Sequence, residues 1–437
     1  MRTRFIYLLV ALTLSLSGCN SGSSSTTSLT PEVKNLLDNS FSAMIGDNIE
    51  QVPGLGVIVF KDGRIVYEHF SGRRELTKNL PLERTTRLRA ASLSKMFTMF
   101  GVMQLVEAGA IDLDEDASNY LGFPLRNPNF PDEKITVRML ASHTSTLRDG
   151  DSYSLSPSYS IEEFFTPDGT AYEDGAHFAH EDKHYFTYCN LNYGVLGTII
   201  EKVSGERFDT YIKNHVLKPM GINADFIVGN FSEEDFRNLG TLYRQENDEW
   251  TPQADSYSVQ PPKDTVWETY SLSDYIIGTN ATVFAPQGGL RISFEELAAC
   301  LEMLMNGGNF RGQQIISAES FNEMCRPQWI YDQQTPNGDT YGVMLSYGLG
   351  LYQIDGSSAA RLCENYDVDF VGHSGDAYGL ISGLYFRPGT KDGVIFMVNG
   401  TGVVAGEDER SFGKFSNSYI WEEEIMNPIC EHIFTAQ

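Results

Sequence analysis

Alternating hydrophobic and polar positions near both ends of the chain predict β-strands there. Residues 54–72, GLGVIVFKDGRIVYEHFSG, alternate on both sides of Lys61-Asp62-Gly63, a pattern typical of two strands joined by a tight turn. After Tyr347 the period of two returns in YGLGLYQI, GLISGLYFRPG and GVIFMVNG. We therefore expect one group of strands early in the chain and another late.

Helical patterns fill the middle of the chain. The segment SLSKMFTMFGVMQLVEAG, ending at Gly109, is apolar nearly all round a helix, which predicts a buried helix. VLGTIIEKVSG (Val195–Gly205) predicts a second, and Ser293 with Glu296 fits the capping box of a third. The last apolar stretch, SYIWEEEIMNPICEHIF, is also helical in pattern.

Together these patterns predict an α+β fold. One antiparallel sheet would be built from both ends of the chain and flanked by helices, with a mainly helical region inserted in the middle. Although 437 residues would allow two or three domains, we expect one unit over residues 32–437. Its sheet part covers about 32–90 and 310–437 and its helical part about 91–309, with a cleft at their seam.

The N-terminal residues, MRTRFIYLLVALTLSLSGCN, have the pattern of an export signal over residues 1–18. The apolar run is too short to span a bilayer, and Leu16-Ser17-Gly18-Cys19 resembles a bacterial lipobox, in which the cysteine is lipidated. Residues 19–31, rich in Ser, Gly and Thr, would form a flexible tether. We expect an exported protein anchored by a lipid on Cys19 to the bacterial envelope, at the outer membrane or the periplasmic side.

Charge and cysteine content narrow the function classes. The formal net charge is −26 and becomes −28 when Arg2 and Arg4 leave with the signal, which disfavours nucleic acid as a partner. Apart from Cys19 there are five cysteines, at 189, 300, 325, 363 and 430. An odd number argues against a complete disulfide framework and leaves one pair possible, without saying which.

Ser92-Leu93-Ser94-Lys95 places a serine at the start of the buried helix and a lysine one turn later on the same face. A serine hydroxyl becomes a nucleophile when a neighbouring base takes its proton, and burial can lower a lysine pKa enough for that task. The S-x-x-K pattern alone is weak, because Ser411 to Lys414 matches it too.

Two further motifs follow in order. Tyr188-Cys189-Asn190 precedes a predicted helix; a phenol beside a lysine can carry a proton, and an amide can hold a substrate carbonyl. His373-Ser374-Gly375 opens a predicted strand, where a backbone N–H could complete an oxyanion hole.

The order S-x-x-K, Y-x-N, H-x-G resembles the class C β-lactamase and penicillin-binding-protein-related serine hydrolases. The resemblance extends over nearly the whole chain. It is carried by RLRAASLSK (87–95), GAIDLDEDASNYL (109–121), MLASHTSTL (139–147), NYGVLGTIIEKVSG (192–205) and APQGGLRIS (285–293).

The resemblance implies hydrolysis of an ester or amide through an acyl-enzyme, without a metal or cofactor. Ser92 would be the nucleophile, with Lys95 and Tyr188 sharing the roles of general base and acid. Asn190 would position the acyl side of the substrate. The oxyanion would lie between the backbone N–H groups of Ser92 and Asp376, beside His373, Ser374 and Gly375.

The chain departs from the family pattern at two places. His373-Ser374-Gly375 stands where related enzymes commonly have K-T-G, whose lysine helps to bind a substrate carboxylate, and Asp376 adds a negative charge beside it. We therefore expect neutral esters, or substrates with a free amine, to be preferred over substrates with a carboxylate at that position. Thr146 occupies a turn position where the family commonly has glycine.

Two other functions are compatible with parts of the sequence. His180-Glu181-Asp182-Lys183-His184 matches the H-E-x-x-H motif of zinc metallohydrolases, with Glu201 or Glu206 as a third ligand, although the surrounding residues are typical of a loop. Alternatively the fold could serve as a non-catalytic binding or sensor protein, which loss of Ser92, Lys95 or Tyr188 would indicate. Esterase, D-amino-acid peptidase or amidase, carboxypeptidase and β-lactamase activities use the same three residues, so the sequence leaves the substrate open, as it does the oligomeric state.

Overall fold

The computed structural model describes residues 28–181, 184–267 and 269–435. The predicted signal peptide, Cys19 and most of the predicted tether lie outside these residues. None of the helices within these ranges is long and apolar enough to cross a membrane.

A nine-stranded antiparallel sheet forms the centre of the molecule, in the order β12-β13-β14-β15-β16-β17-β1-β2-β3. Three of its strands come from the start of the chain and six from the end, which confirms the predicted fold class. The eighteen strands among the described residues are β1 Gly54–Lys61, β2 Arg64–Glu75, β3 Leu80–Pro81, β4 Arg87–Arg89, β5 Leu242–Glu246, β6 Glu249–Ala254, β7 Thr265–Val266, β8 Tyr270–Ser271, β9 Arg291–Ser293, β10 Asn309–Phe310, β11 Gln313–Gln314, β12 Trp329–Ile330, β13 Ser346–Tyr347, β14 Tyr352–Ile354, β15 Phe370–Ala377, β16 Leu380–Phe386, β17 Gly393–Val398 and β18 Gly400–Thr401.

Helices cover both faces of this sheet. The ten α-helices among the described residues are α1 Pro31–Ala43, α2 Ser94–Glu107, α3 Ala117–Leu121, α4 Val137–Ala141, α5 Leu191–Ser204, α6 Phe208–Tyr211, α7 Glu233–Arg237, α8 Phe294–Met305, α9 Ala318–Cys325 and α10 Ile420–Ile429. Neighbouring residues of β1 show the two-layer arrangement: Ile58 belongs to the core shared with α2, α5 and α8, whereas Val57 and Val59 belong to the core shared with α1 and α10. Strands covered on both faces are largely apolar and buried, as β1, β16 and β17 are except at Lys61, the last residue of β1.

Helix α2 is buried on all sides, as its sequence predicted. Eleven of its fourteen residues are buried, and Lys95 is one of them. The helix packs against α5, and the predicted capping box of α8 is present at Ser293 and Glu296. A lysine enclosed in this way needs polar partners, so its position indicates a functional site.

The inserted region holds more than helices. Strands β5 and β6 pair with each other, and β18, which follows the large sheet, adds to β5 in parallel. The sequence did not predict them because β6 is exposed or half-buried throughout and carries no hydrophobic alternation.

A disulfide joins Cys363 to Cys430 and so connects a loop after β14 to the end of α10. The other cysteines that the structure describes, Cys189, Cys300 and Cys325, are free. The structure therefore chooses the one pair that the odd cysteine count had left open.

Replacing both Cys363 and Cys430 with Ala should lower the free energy of unfolding by about 4 kcal/mol, because the bond closes a loop with a sequence separation of 67. Urea unfolding of the oxidised protein and of the double variant measures this difference. Peptide mapping without reductant should find the same pair. Alkylation of all five cysteines in unfolded, unreduced protein would show that the bond is not formed.

Candidate active site

Ser92 lies in a short turn between β4 and α2 that the neighbouring chain holds tightly. Ala91 adopts a φ of 48°, a left-handed conformation that costs energy for any residue with a side chain. Ser94 Oγ donates to Ala91 O at 2.7 Å and accepts from Leu290 N at 3.1 Å. The turn is thus fixed to residues 285–290, and Ser92 faces a cavity.

The Lys95 amine lies in the middle of the site, and the Lys95 residue is fully buried. Its Nζ is 3.0 Å from Ser92 Oγ, 2.9 Å from Asn190 Oδ1 and 3.1 Å from Gln287 O. Burial lowers the pKa of Lys95 to about 7, although the Asp149 carboxylate nearby favours the charged form. A large fraction of Lys95 is therefore neutral near pH 7.

Tyr188 completes the group around Ser92. Lys95 Nζ lies 4.6 Å from the centroid of the Tyr188 ring. Burial raises the pKa of Tyr188 well above its usual value, and a hydrogen bond with Ser92 only partly offsets this effect. The phenol therefore keeps its proton in the free protein.

Asn190 contacts Lys95 and Asp149, and its predicted contact with the substrate stays a prediction. Its Oδ1 accepts from Lys95, and its Nδ2 donates to Asp149 Oδ2 at 2.9 Å. Asp149 Oδ1 in turn accepts from Leu191 N at 2.9 Å, at the start of α5. Asn190 lines the cavity, but its amide is already used to hold Lys95. Sequence analysis missed Asp149, which lies in a stretch without a recognisable pattern.

The structure also corrects the role predicted for His373. Its imidazole is fully buried and lines neither cavity next to Ser92, because Nε2 bonds to Tyr347 Oη at 3.0 Å and Nδ1 faces the carbonyl of Ser374. Burial and the nearby Lys95 lower the pKa of His373 to about 3. The imidazole is neutral, and it stabilises the site through these hydrogen bonds instead of lining a cavity.

The remaining residues of this strand lie at the site. A Cβ on Gly375 would come within 2.8 Å of Ala90 O and 3.1 Å of Ala91 Cβ, so the absence of a side chain lets β15 approach the Ser92 turn. Ser374 and Asp376 line cavities beside Ser92. Loss of water around its carboxyl raises the pKa of Asp376 to about 6.

A buried chain of hydrogen bonds lies behind Tyr188. Cys189 N donates to His143 Nδ1 at 3.1 Å, so the His143 proton is on Nε2, which can donate to Tyr347 Oη at 3.2 Å. Tyr347 Oη can then donate to His373 Nε2. The His373 proton is therefore on Nδ1, which donates to the Ser374 carbonyl. Every member has a partner, and the backbone next to Tyr188 is fixed as a result.

The turn that carries His143 is strained. His143 has a φ of 58° and Thr146 a φ of 65°, both in the left-handed region. Glycine adopts this conformation without strain, which explains why a threonine at position 146 is unusual. The threonine keeps the conformation because its carbonyl accepts from Ala179 N at 2.8 Å and its neighbour Ser145 bonds to Asn192 at 2.7 Å.

Two cavities meet at Ser92. The large cavity has a volume of about 630 Å³ and extends along β4, β6 and residues 283–291. The small cavity has a volume of about 360 Å³ and extends towards α10. Ser92, Tyr188 and Asp376 line both, so a substrate can place one half on each side of the serine.

The described residues of the H-E-x-x-H motif, His180, Glu181 and His184, are not helical, whereas a zinc site of this kind needs a helix. His184 has a φ of 70°, and Glu181 accepts from Arg148 at 2.9 Å. Glu201, offered as a third ligand, bonds instead to Tyr275 Oη and to the backbone of Phe208. Within the described ranges no group of three His, Cys, Asp or Glu side chains is arranged to hold a metal ion.

Known proteins share this fold and sequence pattern. Penicillin-binding protein 4* of Bacillus subtilis (strain 168) is 29% identical over 237 residues, which cover 52% of this chain but only 46% of that protein. The octameric penicillin-binding protein homologue from Pyrococcus abyssi superimposes with a TM-score of 0.60 at 24% identity, over 85% of this chain and 74% of that one. The D-amino acid amidase from Ochrobactrum anthropi SV3 gives a TM-score of 0.63 at 16% identity, over 92% and 99%.

The family match extends further along the chain than the alignment with the Bacillus relative. Residues 41–413 match the Beta-lactamase family, and this range contains Ser92, Lys95, Tyr188 and His373. The chain therefore belongs to the Beta-lactamase family and has the fold of its serine hydrolases.

Proposed function

We propose that this protein is a serine hydrolase that cleaves an ester or amide through an acyl-enzyme on Ser92. The observation that supports this most strongly is the contact between Lys95 Nζ and Ser92 Oγ at 3.0 Å. A neutral amine has two N–H groups, and two carbonyl oxygens, of Asn190 and Gln287, are placed to accept them. The nitrogen lone pair is then free for the serine proton.

Acylation follows from this geometry. Lys95 takes the proton of Ser92 while Oγ attacks the substrate carbonyl carbon, and the charge on the carbonyl oxygen is stabilised by the backbone N–H groups of Ser92 and Asp376. Tyr188 then donates its proton to the leaving oxygen or nitrogen and receives one from Lys95. The bond to the leaving group breaks, and the acyl group remains on Ser92.

Deacylation reverses these transfers with water as the nucleophile. Water loses a proton towards Tyr188 and Lys95, attacks the acyl carbon, and the acid product leaves as Ser92 recovers its proton. Lys95 moves between neutral and charged forms at small cost, because its pKa of about 7 is near the working pH. The serine has the same state before and after each cycle.

The substrate class is an ester, a D-aminoacyl amide or peptide, or a β-lactam. The amidase of the same fold supports an amide, and so does the small cavity, whose carboxylates suit a free amine. Asp376 beside Ser92 supports neutral or amine-bearing groups over a carboxylate in the place where K-T-G enzymes bind one. A non-catalytic binding role is less well supported, because Ser92, Lys95 and Asn190 are within hydrogen-bonding distance.

Labelling tests this function directly. A fluorophosphonate should attach to Ser92 of the wild type and not to Ser92→Ala, and only the wild type should hydrolyse a panel of aryl esters, D-aminoacyl amides and penicillins. Ser411→Ala is a matched control because Ser411 is the serine of the other S-x-x-K match and lines neither cavity next to Ser92. Labelling of Ser92 without turnover of any substrate would support the binding role, and the absence of labelling would contradict the mechanism.

The pH profile tests the role of Lys95. Protonation removes the base, so kcat/KM should fall as the pH drops through about 7. Asp149→Asn removes a negative charge that favours the protonated amine, and the midpoint of the profile should therefore move to lower pH. Asp132→Asn, at an exposed position, is the control and should leave the midpoint in place. An unchanged or higher midpoint in Asp149→Asn would contradict this assignment.

We further propose that Cys19 carries the lipid anchor. The supporting observation is the Leu16-Ser17-Gly18-Cys19 pattern after an apolar run. In a bacterial host the full chain should fractionate with membranes, and mass spectrometry should find a modified N-terminal Cys19. Cys19→Ala should abolish the modification and move the protein out of the lipid-anchored fraction; an unmodified Cys19 in the wild type would contradict the proposal.

A further inference from the structure

Arg89 is a half-buried positive charge in the large cavity, and its Nε has no hydrogen-bond partner among the described residues. It is the last residue of β4 and lines the cavity together with Ser92. An enclosed N–H donor is normally paired, so this one calls for an explanation.

The neighbours of Arg89 compensate its charge only in part, because burial and the charge of Arg291 lower its pKa more than Asp255 raises it. The Tyr378 ring covers the guanidinium, with the Arg89 Cζ 5.1 Å from the ring centroid. Asp255 is the nearby acid, but it is engaged by Arg291, whose Nη2 and Nε donate to the two carboxylate oxygens at 2.7 Å and 3.1 Å. Arg291 also repels the Arg89 charge. One carboxylate therefore faces two guanidinium groups.

Backbone strain occurs at the same place. Tyr378 and Asp255 both have a φ of 57°, a conformation that is costly for residues with side chains. Tyr378 reaches it in the tight turn between β15 and β16, and this turn sets its ring over Arg89. Backbone strain next to a charged group whose donor lacks a hydrogen-bond partner is typical of a binding site.

The two cavities differ in the charged groups around Ser92. The large cavity is lined by two arginines, Arg89 and Arg291, and by three acids, Asp151, Asp255 and Asp376. No Lys, Arg or His lines the small cavity among the described residues, and its acids are Asp149, Asp376 and Glu422. Guanidinium groups able to bind a substrate carboxylate are therefore present only on the side of the large cavity.

We propose that Arg89 binds a carboxylate of the substrate in the large cavity and so selects substrates that are anionic on that side of the scissile bond. The proposal rests on the serine hydrolase function given above and adds a specificity residue to it. A guanidinium donates two parallel hydrogen bonds to a carboxylate, and Tyr378 would hold it flat for that contact. Arg89 precedes Ser92 by three residues, which span at most about 10 Å. The carboxylate would thus lie close to the reacting carbonyl.

Two pairs of matched esters test the proposal. In the first pair the leaving group differs, 4-acetoxybenzoate against 4-acetoxybenzamide. In the second pair the acyl group differs, the mono(4-nitrophenyl) ester of terephthalate against the same ester of its monoamide. The wild type should prefer the anionic member of one pair, and that pair identifies which half of the substrate enters the large cavity.

Arg89→Gln should lower kcat/KM for the preferred anionic ester by about 10- to 100-fold, mainly through KM, because a charged hydrogen-bonded pair is lost. The matching carboxamide should change by less than about threefold, since it makes no ion pair with Arg89. Arg89→Lys should keep part of the preference. Arg64→Gln, at an exposed position of β2, should leave both esters unaffected.

The outcomes separate this proposal from the proposed function. Turnover that depends on Ser92 but shows no preference in either pair, or equal losses for both members in Arg89→Gln, would overturn only the role of Arg89. Rates equal to those of Ser92→Ala for all four esters would overturn the role of Arg89, and the additional absence of fluorophosphonate labelling at Ser92 would overturn both. Competitive inhibition of the wild type by terephthalate but not by terephthalamide would support the assignment without a variant.

Discussion

A buried lysine amine is the constraint on which the active site depends. Lys95 is enclosed on a helix that is apolar on every side, and this enclosure lowers its pKa to about 7. Burial alone would be destabilising, but Asn190 and Gln287 provide two acceptors and Ser92 the third contact. The contacts that stabilise the buried amine are the same contacts that would let it act as a base.

The surrounding polar groups keep this arrangement in place. Asp149 holds Asn190 at the start of α5, and the hydrogen bonds through His143, Tyr347 and His373 fix the backbone next to Tyr188. The imidazoles stay neutral because burial lowers the pKa of each, so they add no charge that would compete with Lys95. These neighbouring groups thus hold in place the residues proposed to act on the substrate.

Charge differs between the two sides of the nucleophile. The small cavity contains only acidic charged residues among those described, whereas the large cavity contains acids together with the guanidinium groups of Arg89 and Arg291. This difference would favour one orientation of a charged substrate relative to Ser92, because each half would meet a different potential. The strand with His373-Ser374-Gly375 approaches the Ser92 turn closely at Gly375. The His373 imidazole is fully buried.

The sequence by itself determined the α+β fold, the paired termini, the buried helix and the spacing of Ser92 and Lys95, because hydrophobic periodicity and contact one helical turn apart are local properties. It also indicated Tyr188, through a motif in order with the others. Only the tertiary structure decided the pairing of Cys363 with Cys430, the link from Asn190 to Asp149, and the burial of His373. The tertiary structure also decided that Arg89 Nε has no hydrogen-bond partner among the described residues. These features depend on which distant segments come together and how much water they exclude, and no pattern along the chain records either.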